Sequence, residues 1–401
     1  MRQFNPKAKG PLDGLVVLDF SRLVAGNMLS LQLADFGAEV IKIEDPKEGD
    51  PLRAWRVKGV SAFFKVYCRN KKGITLSLRT EEGRKLAFEL AKHADVLIEN
   101  GRPGTLERLG LGPEPLMAAN DKLIMVRVTG WGQSGPYRDK PGFGSLVEGM
   151  SGFAAMNGYA DRPPVLPPLA LADMVSGLYG MSGVLLALRH REVKGGKGQV
   201  IDLPLFDPIV SILGPEAAIY KLTGEIKPRT GSRSATTTPR NVFRTKDDRW
   251  IAISASMQVM VDRLFKAIGR ADMLEDPRFK TNADRVKHAD ECEQPIIDFI
   301  RARSLEENLA FFEQAEITAA PVYEQDQLIA DPHVQARGII AELPDDQMGA
   351  IPMHAVIPRL QQTPGDYYRP APDMGEHNAE IYGRLGLDAQ ALDGLKQRGV
   401  I

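Results

Sequence analysis

Residues 15–44 decide the fold. Leu15–Phe20 reads LVVLDF, Ala25–Phe36 reads AGNMLSLQLADF and, past Gly37, Glu39–Glu44 reads EVIKIE. Two apolar runs of strand length flank a helical pattern that a glycine closes. Strand, helix and strand in such short compass make a βαβ unit, hence a parallel sheet covered by helices. The pattern repeats. Ile74–Leu78 predicts a strand after the basic turn Arg69-Asn70-Lys71-Lys72-Gly73. Glu81–Lys92 predicts a helix, Val96–Glu99 a strand, Pro115–Asn120 a short helix and Leu123–Thr129 a strand. Everything up to Thr129 therefore reads as a doubly wound α/β domain.

Further along, Met174–Arg191 predicts a long helix, and Gln199–Leu203 and Trp250–Ile253 predict strands. Residues 257–315 read as mainly helical, and two short helices follow at 378–385 and 389–398. Pro228–Pro239 and the proline-rich Pro344–Pro372 are expected to be irregular.

The chain has 401 residues, a length that suggests two or three domains. Lys and Arg total 51 against 52 for Asp and Glu, so no global basic field invites nucleic acid. Two cysteines, Cys68 and Cys292, can build neither a disulfide framework nor a cysteine-rich zinc site. The six histidines are scattered, with no pair at helical spacing, and no metal is expected. The start lacks a signal-type apolar core, and no run of about 18 apolar residues stands out. No membrane span is expected, and the expected compartment is a reducing cytoplasm.

The loop after the first strand, Ser21–Asn27, is not G-x-G-x-x-G, which leaves a nicotinamide enzyme as a distant alternative. Gly142-Phe143-Gly144-Ser145 is not a hydrolase elbow. Seven cations, Arg69, Lys71, Lys72, Arg79, Arg102, Arg108 and Lys140, fall in turns after strands or at adjoining helix starts. Ligands of an open parallel sheet bind at that edge, and converging cations suit a polyphosphate. Taken singly, each reads better as a solvated surface charge. Asp173 follows the apolar run PPLALA and opens a helix. It fits a plain N-cap, and the same place would keep a nucleophilic carboxylate ionised. Gly177, Gly180 and Gly183 recur at spacing three and weaken that helix, which calls for close approach of another helix or a ligand. Met150, Phe153, Met156 and Tyr159 read equally as an apolar wall or as core.

Several longer segments carry a resemblance. They are Gly14–Phe20, Leu33–Glu44, Asn70-Lys71-Lys72, Ala94–Asn100, Arg102-Pro103-Gly104, Gly130–Tyr137, Gly196–Gln199 and Gly375-Glu376-His377-Asn378. Together they span nearly the whole chain, which resembles the class III coenzyme A transferases, the family of formyl-CoA transferase and carnitine CoA-transferase. The resemblance implies an α/β fold with a Rossmann-like large domain and an inserted small α/β domain. Residues 1–220 are expected to form the first part of the large domain and 225–330 the small one. Residues 331–401 would be a linker and a segment returning to the large domain. It also implies an interlocked, ring-like homodimer.

The implied reaction moves CoA from an acyl-CoA donor, succinyl-CoA or a similar small thioester, to a small carboxylic acid. The partners are thus an acyl-CoA and an acid, with no tightly bound cofactor. Asp173 matches the family nucleophile, which would pass through an acyl-aspartyl anhydride and an aspartyl-CoA thioester. Val24 and Ala25 match the loop where the nucleotide rests, and Leu76 and Arg79 the adenine and phosphate contacts. Asn100, Gly101 and Arg102 match the loop bordering pantetheine and diphosphate. Arg108 matches a phosphate-binding Arg, and Lys140 a pyrophosphate- or adenine-side Lys. Asp45 stands where formyl-CoA transferase has an Arg near the adenine. Thr230–Pro239 replaces that enzyme's glycine-rich lid, which argues against formate or oxalate. The α-methylacyl-CoA racemases of the same family use a His–Asp pair where this chain has Phe143 and Gly144, which disfavours that alternative. A CoA-binding protein without catalysis is the third alternative.

Overall fold

The computed structural model describes Met1–Ile401 in full. Six strands form one sheet: β1 (Val16–Asp19), β2 (Glu39–Glu44), β3 (Lys71–Thr75), β4 (Val96–Glu99), β5 (Ile124–Thr129) and β6 (Val200–Pro204). Their order is β3-β2-β1-β4-β5-β6, and every pairing is parallel. Strand order reverses between β1 and β4, so a crevice opens at their carboxyl ends, beyond Asp19 and Glu99.

Alternating side chains bury both faces. Val17, Val40, Ile98 and Val126 meet α1 (Ala25–Asp35) and the Leu171–Lys194 helix. Leu18, Ile41, Leu97 and Met125 meet α3 (Glu81–Lys92) and the C-terminal Ile381, Tyr382 and Leu395. Between those helices in the chain lies the short α2 (Ala62–Tyr67). Burial on both sides is why these strands read as mostly apolar runs rather than alternating ones.

β3 starts three residues earlier than the expected strand at Ile74. Lys71 and Lys72 belong to it, not to a turn. Lys71 is fully buried, with Nζ 3.2 Å from Asp19 Oδ2 and 2.9 Å from Asn27 Oδ1. Lys72 pairs with Glu39 and Glu380, and Arg69 is buried against Asp35 at 2.6 Å. Two of the seven expected ligand cations, Arg69 and Lys71, are therefore consumed inside the protein, and Lys72 is tied up in ion pairs at its edge. β3 is an edge strand, and the GEHN segment covers its edge. The Gly73 N–H donates to His377 Nδ1, and the Thr75 N–H donates to Asn378 Oδ1 at 2.9 Å. The Tyr382 hydroxyl donates to the Thr75 carbonyl at 2.7 Å.

The expected irregular stretch 344–372 opens instead with an antiparallel hairpin, Ile340–Asp345 against Gly349–His354. Helices also occupy Phe206–Ser211 and Glu216–Thr223. The Leu171–Lys194 helix is long and apolar enough by composition to cross a membrane, a test that core helices of folded domains also pass. Here it packs on α1 and beside β5 and β6. A Cβ at Gly177 would lie 2.7 Å from Met28 Cγ, and one at Gly180 2.3 Å from Leu29 Cδ1. Those two glycines provide the close approach; Gly183 has ordinary room beside Ile201.

Chain contacts divide the protein into two units: Met1–Phe153 with Pro167–Gly214 and Gly338–Ile401, and Ala154–Leu166 with Pro215–Arg337. The second unit has a three-stranded antiparallel sheet, Arg240–Arg244, Trp250–Ser254 and Ala319–Pro321. Its core includes Phe243, Ile251, Phe265, Ile296 and Phe312.

Candidate active site

The loop from β1 to α1 is held by a buried ionic network. Lys42 Nζ lies 2.9 Å from Asp50 Oδ2 and 3.9 Å from Asp19 Oδ1, and it also donates to the Ser21 carbonyl. Asp19 accepts from the Ser21 N–H and hydroxyl and from the Ser30 hydroxyl. Asp50 accepts the Leu23 N–H at 3.0 Å and the Asn27 amide at 2.8 Å. Leu23 is left with φ 63°, a left-handed conformation unusual for a leucine. A strained residue pinned by buried charges next to a helix start marks a loop shaped for a task.

That loop delivers Val24 and Ala25. Val24 is buried with Leu52, Phe64 and Cys68, and Met174 packs against the same cluster. Ala25 opens α1, and its backbone N–H lies near enough to the Asp173 carboxyl to hold its pKa down. Asp173 is not the N-cap: the helix begins at Leu171 after Ala170, and Asp173 sits third in its first turn. Gly144, first residue of the Gly144–Met150 helix, is so close that a Cβ there would be 2.5 Å from Asp173 Oδ2. Three helix starts thus meet at one carboxylate, and the free N–H groups of a helix start favour negative charge.

The opposing influence is burial. It pushes the Asp173 carboxyl up to about 6, helped by the negative charge of Glu148 and resisted by the Ala25 N–H and by Asp173's own N–H. Glu148 is itself buried and accepts the Ala172 N–H at 3.0 Å. Tyr67, on α2, has its phenol raised by burial and by nearby Asp173. Phe63 packs toward Tyr67, and Trp55 meets Phe63 edge-on at 5.4 Å, with both outer rings exposed. An ionised but reluctant carboxylate, reached along aromatic surface, is suited to nucleophilic attack on an acyl carbon.

A cavity of about 310 Å³ lies at the strand-order reversal. Leu76, Arg79, Asn100 and Gly101 line it together with Arg22 and Asp45. Asn100 ties the two loops of the crevice: it accepts the Arg22 N–H at 2.9 Å and donates to the Arg22 carbonyl at 2.7 Å. Arg79 is exposed and lies near Asp45 and Glu48 at 3.9 and 3.4 Å. Arg102 and Arg108 flank Gly104, just past the Asn100–Gly101 wall, and Arg108 donates to Thr105 Oγ1. Lys140 is not a wall residue: its Nζ sits 3.7 Å from the Tyr137 ring centroid, on the 130–144 loop. Two larger clefts, about 580 and 680 Å³, lie between α3 and the last helix and beside the hairpin. None of the three cavities is lined by Asp173.

Met150 and Tyr159 are exposed and Phe153 and Met156 half-exposed, so none of the four is core. Glu148, Tyr67 and the Lys42–Asp19–Asp50 network are neighbours of the candidate site that sequence reading missed. Nothing local marks them, because their importance lies in which distant residues they meet.

The profile of CoA-transferase family III matches residues 12–378. The succinyl-CoA–D-citramalate CoA-transferase of Chloroflexus aurantiacus is 40% identical over 395 residues, covering 98% of both chains. The succinate–glutarate CoA-transferase of Agrobacterium fabrum is 34% identical and covers 95% of this chain and 97% of its own. A crystal structure of a CAIB/BAIF family protein from Brucella suis superposes with a TM-score of 0.83 at 32% identity, covering 94% of this chain and 100% of that one.

Proposed function

The chain belongs to CoA-transferase family III and is a class III CoA-transferase, and from that premise we propose that it carries CoA from succinyl-CoA to a small dicarboxylic acid through Asp173. The observation that carries this reading is the Asp173 carboxylate itself, set among three helix starts and made basic by burial. Asp173 Oδ attacks the donor thioester carbon. The C–S bond breaks, and CoA leaves as a thiolate with the bonding pair. The thiolate attacks the Asp173 carbonyl of the anhydride, releasing succinate and leaving an aspartyl-CoA thioester. The acceptor carboxylate attacks that thioester, and the freed thiolate then attacks the acceptor acyl carbon, restoring Asp173. No proton is consumed overall, and first-turn N–H groups would stabilise each oxyanion.

The choice of acids rests on relatives named for D-citramalate, L-malate and glutarate. CoA placement follows the crevice. Leu76, Arg79, Asn100 and Gly101 take the nucleotide end, Arg102, Arg108 and Lys140 its phosphates, and Val24 and Ala25 guide the thioester to Asp173. An isomerase would need a base on each face of the α-carbon, and residues 143 and 144 offer none. The functional unit is a homodimer, supported by exposed Leu178, Leu185, Leu186 and Val193 along one helix. A cytoplasmic location suits a donor of this kind.

The test is direct. The protein is incubated with succinyl-CoA, with and without D-citramalate, L-malate or glutarate. The CoA esters and the digested peptides are weighed by mass spectrometry. A new CoA ester and a mass gain on the peptide containing Asp173 are expected; a peptide that never gains mass sinks the reading.

Gly144→Ala probes the same geometry. Its methyl would intrude on Asp173 Oδ2, and a misplacement on the order of 1 Å costs about 100-fold in turnover. CoA affinity should stay near wild type, as isothermal titration would show.

A further inference from the structure

Resting on that reading, we propose that Glu148 is a positioning residue whose negative charge, held on the backbone N–H of the residue before the nucleophile, drives Asp173 toward its acylated, uncharged states. The geometry is specific. Glu148 is 3% exposed, and its Oε1 accepts the N–H of Ala172, the residue before Asp173. The helix that carries it begins at Gly144, which touches the Asp173 carboxylate. One short helix therefore supplies both the floor under the nucleophile and a carboxylate behind it.

A buried carboxylate costs free energy unless it is paired, and no cation pairs with this one. Capping a helix N–H does not require a charge, since a glutamine oxygen accepts the same bond. What glutamine cannot supply is repulsion. When Asp173 attacks a thioester, the negative charge departs on the CoA sulfur and the acylated Asp173 is neutral. Each covalent state thus has one charge fewer beside Glu148. The free carboxylate is destabilised relative to those states and is more basic, hence a better nucleophile. Other groups facing Asp173 do not replace this term: α1 presents the Ala25 N–H, and α2 presents the Tyr67 phenol, itself raised by burial.

The experiment compares wild type, Glu148→Gln and Glu148→Asp for kcat/KM against pH and for the steady-state fraction of Asp173 peptide carrying CoA. Wild type should show an acid limb near pH 6. In Glu148→Gln the limb should move down by about one pH unit and kcat fall about tenfold, with less covalent CoA on Asp173. Glu148→Asp keeps the charge but withdraws it from Ala172, and should hold the limb near wild type. A wild-type limb and adduct level in Glu148→Gln would overturn the proposal, as would equal shifts in both variants. If Glu148→Gln does not fold, Glu148→Asp decides alone: a retained limb supports the proposal, and a lost one overturns it. Failure of the Asp173 reading would be seen separately, as a wild-type peptide that is never labelled.

Discussion

Asp173→Asn abolishes CoA exchange and at the same time makes the protein harder to melt at neutral pH. The loss of activity should be at least about 10⁴-fold, because no second carboxylate is placed to attack. The gain in stability follows from the raised carboxyl. Its value in the fold is about 6 against 3.8 for an unhindered Asp, so the folded state holds the proton more tightly than the unfolded chain does. The sign is therefore the reverse of an ordinary salt-bridged Asp. Below pH 3.8 the group does not penalise the fold; as pH rises through 6 the penalty reaches its full size. It amounts to about 2–3 kcal/mol. Melting curves from pH 4 to 8 should diverge, with wild type falling relative to the Asn variant. Parallel curves would mean that the carboxylate is not strained by its surroundings.

Lys42→Met should have the largest structural effect. Lys42 is fully buried, and burial would lower its affinity for a proton, but Asp19 and Asp50 raise it above the usual lysine range. Without it, buried Asp50 loses its cation and Asp19 keeps only Lys71. Breaking a buried pair from one side costs about 3–5 kcal/mol. Urea unfolding at pH 7 measures it, and adding Asp50→Asn should recover part of the loss. Burial alone would raise Asp50, yet Lys42 and the Leu52 and Leu23 N–H groups bring it down to about 2. This stabilisation is present above 3.8 and disappears as pH falls toward 2, so the wild-type advantage should shrink in acid. CoA binding should weaken too, since Asp50 holds the Leu23 N–H and with it the Val24–Ala25 turn.

These two residues show what sequence could reveal. The βαβ pattern was legible because both faces of the sheet are buried, which writes mostly apolar runs into β1, β2, β4 and β5, broken only by buried charges such as Lys42 and Arg127. Asp173 was legible as an acid at a helix start; its role came from resemblance. Lys42 and Lys71 read as ordinary charges, because nothing local tells a strand lysine that meets Asp50 or Asp19 from one that meets water. Glu148 was hidden likewise inside GSLVEGM. The hairpin was masked by Pro344 and Pro352, which a two-stranded ribbon tolerates where a central strand would not.

The cover over β3 bears on how the molecule comes into being. Leu395, Val400 and Ile401 are buried in the same cluster as Leu18 and Leu97, and the Ser77 N–H donates to the Val400 carbonyl at 2.7 Å. During synthesis the first strands of the sheet therefore emerge hundreds of residues before the segment that covers their outer edge. The stretch 215–337 can settle while that edge waits, and a nascent chain arrested before residue 375 would expose a bare strand to chaperones.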